Sequence, residues 1–280
     1  MSSTIIVHPG GAHLDEVIAA GLICWKEGRM PVYRKIPSPE ELADPEVWVV
    51  DTGGRHEPQL RNFDHHQRGR DEEPECAMSL VARHLGLHEQ LSEMPWYPAQ
   101  VRIDVMGPQP LARELGLKRL PPELDSPFEI AICRLWAAGG TGPVDETVVG
   151  MAAAIAGALV EDASERRGEL EAARAVTTVM QVAGFDVLFH DGVVGSDVSG
   201  QIRDERASDE GQDIAVAVSR DNRNPDGWSL HRFDDHPQVD FTRLEDDPRV
   251  TFAHKSGFRA KVRAGVDVET LLDLISRATQ

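Results

Sequence analysis

The stretch Thr4-Ile5-Ile6-Val7-His8-Pro9-Gly10-Gly11-Ala12-His13-Leu14-Asp15-Glu16-Val17 decides how the rest of the chain is read. Thr4 to Val7 is a β-branched run of strand length that stops at a Pro-Gly-Gly turn. The following DEVIAAGLICWKEG has helical spacing, with its acidic residues in the first turn where the helix dipole favours them. The spacing therefore predicts a strand, a loop and a helix. A second strand is expected in PVYRKI (31–36), and a third, VWVV (47–50), runs straight into Asp51-Thr52-Gly53-Gly54. Strands alternating with helices imply an α/β domain with a mainly parallel sheet flanked by helices. Ligands of such sheets bind beyond the carboxyl ends of the strands, where His8 and Asp51 both fall.

Beyond RNFDHHQRG (61–69) helix follows helix: AMSLVARHLG, PAQVRIDVMG, PFEIAICRLWAAG and an alanine-rich stretch from Asp145 to about Ala183. From Phe185 onward short strands dominate, DVLFHD, DIAVAVSRD, WSLHRF and RVTFAHKSG, separated by Gly, Pro, Asn and Asp turns and closed by the helix VETLLDLISRA. This change of character places a boundary near 184–195. It divides the chain into a metal-binding domain, 1–188, and a smaller α+β substrate domain, 189–280.

Composition bounds the function. The 280 residues suffice for two domains with ample cores, and the three scattered cysteines, Cys24, Cys76 and Cys133, form no disulfide framework or zinc ribbon, which suits a reducing cytoplasm. No export signal is read at the start, and no segment is read as the roughly 20 apolar residues that a bilayer requires. The formal net charge of −18 disfavours gripping nucleic acid with a broad basic surface, so any such contact has to be local. The alanine-rich helices could bury against another subunit, so a homo-oligomer is possible.

Five of the eleven histidines lie within the first 66 residues, and four of them sit with carboxylates in two tight groups, His8-x4-His13-x-Asp15 and Asp64-His65-His66. Imidazole and carboxylate together suit manganese, iron or zinc, and a carboxylate that can bridge allows two ions to sit about 3.5–4 Å apart. Asp51, emerging from its own strand between the groups, is the candidate bridge. Taken singly, each residue has a plainer explanation: a histidine at a strand end is commonly a satisfied polar group, and Asp is favoured at helix caps and turns. Separate segments each supplying the right residue beside a strand end favour a metal site.

The order His8-x4-His13-x-Asp15-Glu16, Asp51-Thr52-Gly53-Gly54 and Asp64-His65-His66-Gln67-Arg68-Gly69 resembles the melanocyte-proliferating-gene (MYG) family, a branch of the DHH phosphoesterase superfamily. Phe252-Ala253-His254-Lys255-Ser256-Gly257-Phe258 resembles that family's carboxy-terminal signature. The resemblance implies a DHH-like amino-terminal domain with two divalent ions, manganese above all. One ion would lie on His8, His13 and Asp51, and the second on Asp15, Asp51, His65 and Asp104, where RIDVMG resembles the superfamily's fourth motif. It further implies that Asp64 fixes an imidazole tautomer and that His66 faces the substrate phosphate.

For substrate, His254, Lys255, Ser256 and Gly257 form a local group of donors on a backbone able to approach an anion, or alternatively an ordinary edge strand with a glycine bulge. Where relatives continue with glycines, this chain has Arg259-Ala260, which bears on substrate choice. Arg68, and less so Arg70, could pair with phosphate or be surface charges. The reading that follows is a metal-dependent exonuclease or oligonucleotide phosphodiesterase acting on short single-stranded RNA or DNA. Its alternatives are a small-molecule phosphatase or pyrophosphatase, favoured by the few aromatics available for stacking, and a catalytically silent metal-binding regulator.

Overall fold

The computed structural model describes residues 3–69, 72–114, 116–118 and 126–279. The chain separates into two compact units, Met1–Glu165 and Arg166–Gln280.

In the first unit β1 (Thr4–Val7), α1 (Leu14–Glu27), β2 (Val32–Arg34), α2 (Pro39–Ala43), β3 (Val47–Val50), β4 (His56–Glu57) and β5 (Asn62–Phe63) are followed by α3 (Ala77–His84), α4 (His88–Ser92), α5 (Trp96–Met106), α6 (Pro108–Glu114), α7 (Pro127–Ala137), β6 (Gly142–Pro143) and α8 (Glu146–Ala175). The sheet runs β4-β5-β3-β1-β2-β6. β1 is parallel to β2 and β3, and β3 to β5; only the edge pairs β4–β5 and β2–β6 are antiparallel. The unbroken apolar run of β1 has a physical reason. Ile5 and Val7 enter the large core with α1, α3 and α8, while Ile6 turns to the opposite face with Leu42 of α2, so both faces are covered. Each fully buried side chain of this kind contributes about 1.5–3 kcal/mol. α1 lies close against α8, since a Cβ on Gly21 would stand 2.5 Å from the Ala152 carbonyl oxygen.

By length and hydropathy alone α8 could cross a membrane, contrary to the expectation that no segment would. Half of its most apolar window is buried, and Val148, Val149, Ala152, Ala156, Val160 and Ala163 are core residues of the first unit.

The second unit contains the last turns of α8, then β7 (Thr177–Val182), β8 (Phe185–His190), α9 (Ser196–Glu210), β9 (Ile214–Asp221), β10 (Asn224–Arg232), β11 (Val250–Ala253), β12 (Arg259–Val262) and α10 (Val268–Ala278). Its sheet, β11-β12-β10-β9-β8-β7, is antiparallel except for β8–β9. α10 packs on one face, burying Leu271, Leu274 and Ile275 with Trp228, Leu230 and Val262. α9 packs on the other through Val198 and Ile202 with Leu188, Ala217 and Phe233.

Four features depart from the sequence reading. The expected division at 188/189 falls inside β8, because β7 and β8 pair with each other and extend the second sheet. The long helix stops at Ala175, and the β-branched TTVMQV forms β7 rather than continuing it. α9 was not foreseen, because its sequence SDVSGQIRDERASDE is strongly polar and interrupted by glycine. The segment 252–258 is not one strand but the end of β11, a turn and the approach to β12.

Candidate metal centre

The parallel arrangement of β1, β3 and β5 brings three chain reversals to one edge of the sheet. His8 follows β1, Asp51 follows β3, and Asp64-His65-His66 follow β5; α1 begins beside them with His13 at its cap and Asp15 and Glu16 in its first turn. Asp104 reaches the group from near the end of α5. Asp51 leaves its strand with φ 57°, a left-handed conformation that Asp tolerates better than most side chains. Its amide is held by the Phe63 carbonyl oxygen at 3.0 Å.

The two oxygens of Asp51 face different partners. Oδ2 lies 3.5 Å from His8 Nε2, and Oδ1 lies 3.2 Å from His65 Nε2, which is also 3.2 Å from Asp104 Oδ2. Among the described residues, three sets of side chains bring potential ligand atoms within 4.8 Å of one another: His8, His13 and Asp51; Asp51, His65 and His66; and His13, Asp15 and Asp104. The side chains of the expected first set, His8, His13 and Asp51, therefore lie together. The second is arranged differently, since His13 also stands with Asp15 and Asp104, and His66 joins His65 and Asp51.

Hydrogen bonds set the imidazole tautomers. His8 Nδ1 donates to the Pro9 carbonyl oxygen at 2.7 Å, which leaves the Nε2 lone pair turned to the carboxylates. Asp64 accepts from the backbone N–H groups of Gly54 and His66 at 2.6 and 3.0 Å, and from His66 Nδ1 at 2.7 Å. Burial opposes its ionisation, but the donors from His66 and Gly54 outweigh it and hold Asp64 below the usual carboxylate range. An ionised Asp64 can only accept, so the proton of His66 sits on Nδ1 and Nε2 is free.

The other carboxylates are held the opposite way. Burial pushes Asp15 well up, and the charges of Asp51, Asp104 and Glu16 add to it. Glu16 is raised to about 9 by burial, against the pull of Arg34. Burial also raises Asp104, against the pull of the His65 charge, and the Asp51 charge adds to the rise. For His65, burial works against the imidazolium, yet the nearby Asp51 and Asp104 carboxylates raise it above its ordinary value. Both oxygens of Asp15, Glu16 and Asp51, Oδ2 of Asp104 and Nε2 of His8 are buried and make no hydrogen bond. Buried oxygens without donors are costly unless a cation satisfies them, so this donor set fits divalent metal ions.

Glu16 and Arg34 were missed as site residues. Glu16 Oε2 stands 3.2 Å from His8 Nε2. Arg34, 1% exposed at the end of β2, donates to the Gly10 carbonyl oxygen at 2.8 Å and lies 3.9 Å from Glu16 Oε1. The available signal was position: Arg34 closes a parallel strand just as His8 does, and Glu16 directly follows Asp15.

The proposed substrate residues are placed less suggestively. Arg68 is engaged by Glu72 at 3.3 Å and Glu75 at 2.9 Å, while Arg70 lies outside the described residues. In the second unit, His254, Lys255, Ser256 and Gly257 form the turn between β11 and β12. There the Ser256 N–H donates to His254 Nδ1 at 3.2 Å, and Gly257 takes φ 68° against the Asp240 carboxylate.

Residues 4–82 match the family model MYG1_exonuc, described as an uncharacterised protein family (UPF0160). The MYG1 exonuclease of Bos taurus is 39% identical over 66 residues, a stretch that is 22% of this chain and 16% of the bovine protein. A solved DHH domain, titled as a member of the s1p family of ribosomal proteins, overlays 97% of this chain and 85% of its own at 13% identity, with a TM-score of 0.34.

Proposed function

We propose that the chain, whose residues 4–82 match the MYG1_exonuc family model, is a divalent-metal-dependent phosphoester hydrolase that acts as an exonuclease on short single-stranded RNA or DNA. The observation that carries this reading is the set of buried, hydrogen-bond-deprived carboxylate oxygens gathered with His8, His13 and His65 at one sheet edge. His8, His13 and Asp51 would hold one ion, and Asp15, Asp51, His65 and Asp104 the other, manganese being the preferred metal. Such ions supply water ionised near neutral pH and positive charge for the phosphoryl oxygens.

The protein's own part follows from its contacts. Asp51 presents one oxygen to each side of the site and orients His8 and His65. Asp64 anchors His66 through Nδ1, so that Nε2, on a side chain 62% exposed, can take the proton released by the attacking water and pass it to the leaving oxygen. Beside His13 and Asp104 opens a cavity of about 400 Å³ with Ala12, Leu14, Ile103 and Ile130 in its wall, a surface suited to a base or sugar rather than to a second phosphate. The three unpaired cysteines are in keeping with a reducing, cytoplasmic setting.

A smaller substrate is the second reading, favoured by one observation: Arg68, the cation next to the histidine pair, is already neutralised by two glutamates. Full-length protein with manganese is offered a strand of about ten nucleotides, a dinucleotide and pyrophosphate. Release of mononucleotides from the strand, lost in Asp51→Asn combined with His65→Ala, is the expected result. Turnover of pyrophosphate alone would select the second reading. Wild-type cleavage by the double variant would refute the site, and metal binding without any turnover would leave the silent regulator.

A further inference from the structure

The second unit contains a cleft of about 250 Å³ between the start of α9 and the adjoining face of β9, β10 and β12. Strand alternation explains its polarity. Trp228, Leu230, Ala260 and Val262 point to the core on the α10 side, so their neighbours point the other way. Cross-strand pairing then sets Ser229 beside Lys261 and His231 beside Arg259. Ser199 and Ser219 complete the hydroxyl lining.

Both carboxylates that line the cleft are already matched. Asp221 accepts from Lys261 Nζ at 2.6 Å, and Asp197 accepts from Arg166 at 2.7 Å. Arg220, paired across the strands with Trp228, stacks 3.6 Å above that ring and reaches Asp191 at 3.3 Å, so its guanidinium lies on the α10 face and not in the cleft. Arg259 has no carboxylate partner among the described residues; its Nε, like His231 Nδ1, is buried and makes no hydrogen bond. Burial lowers the His231 pKa, and the charges felt beyond burial are those of Arg259, Arg203 and Arg232, all cationic. In a chain of net charge −18 this is a locally positive, donor-rich recess.

We propose that this cleft binds a phosphate monoester, with Arg259 as its main anchor and Lys261 as its support. Guanidinium matches phosphate with paired donors, and a recess slightly below the roughly 300 Å³ at which small-molecule pockets begin suits one nucleotide rather than a strand. The site involves none of the metal-centre residues and does not depend on the hydrolase reading.

The test is calorimetric titration of the full-length chain in EDTA, so that no metal in the first unit contributes, with adenosine 5′-monophosphate, inorganic phosphate and adenosine as probes. The monophosphate should bind, adenosine should not, and inorganic phosphate should compete for the same site. Arg259→Gln should weaken monophosphate binding about tenfold or more, Arg259→Lys should retain part of it, and Arg55→Gln, in the first unit, should leave it unchanged. Circular dichroism checks that each variant is folded. Adenosine binding as tightly as its monophosphate, wild-type affinity in folded Arg259→Gln, or no binding of monophosphate at all would each overturn the proposal, whatever the hydrolysis assays show.

Discussion

Replacing Glu16 by Gln in metal-free protein should change how stability depends on pH, by an amount that follows from its surroundings. Glu16 is fully buried, and burial carries its carboxyl from 4.5 to about 9. In the unfolded chain the proton leaves near 4.5, whereas the folded protein keeps it until about 9. Between those values the native state binds one proton more than the unfolded state. The stabilisation is therefore fully present below about 4.5 and is lost as pH rises through about 9. One proton corresponds to a slope of up to about 1.4 kcal/mol per pH unit, and to a ceiling of about 6 kcal/mol over the window, less what Asp15 and Asp104 take up in its place. Gln cannot ionise, so Glu16→Gln should be the more stable protein at pH 8.5 and should show a slope shallower by up to that amount. Urea unfolding in EDTA from pH 5 to 8.5, followed by the fluorescence of the buried Trp48 and Trp136, measures it. Parallel stability profiles for the two proteins would refute the reasoning, and saturating divalent metal should flatten the wild-type profile.

Other consequences are open to direct measurement. Metal at about a thousandfold above its Kd should stabilise the wild type by about 4 kcal/mol, which raises Tm by several degrees or more, and Asp51→Asn should lose most of that shift in a thermal melt. Gly21→Ala should cost about 1–3 kcal/mol in denaturant unfolding, because the added methyl meets the backbone of α8 rather than a movable side chain. Ser199→Ala should cost about 1–3 kcal/mol by the same measurement. It strands Nε2 of His190, a fully buried ring held by Ser199 at 2.8 Å and by Thr177 at 2.7 Å.

Where sequence pattern and burial coincide, the fold was legible. β1, α1 and β3 carry apolar runs with clear breakers, and α10 runs from Val268 to Ala278 as its apolar spacing dictates. β7 was lost because TTVMQV follows an alanine-rich helix directly, without Gly or Pro to mark the end. α9 was lost because its buried side, including Val198 and Ile202, is too sparse to register against its acidic residues. In the metal centre, the histidines and Asp51 were legible from spacing. Glu16 and Arg34 were not, because only three-dimensional packing distinguishes a buried charge from the solvated charge that the same letter normally denotes.

The left-handed turn at Asp51 also bears on how this chain can change over generations. Only Gly, Asn and Asp enter that conformation with little strain, so the backbone sorts the admissible replacements before chemistry does. Asn and Gly keep the fold while removing the carboxylate. A lineage that no longer needs this carboxylate should therefore drift to one of these two at this position and leave a folded relic, whereas a β-branched residue would be strained there.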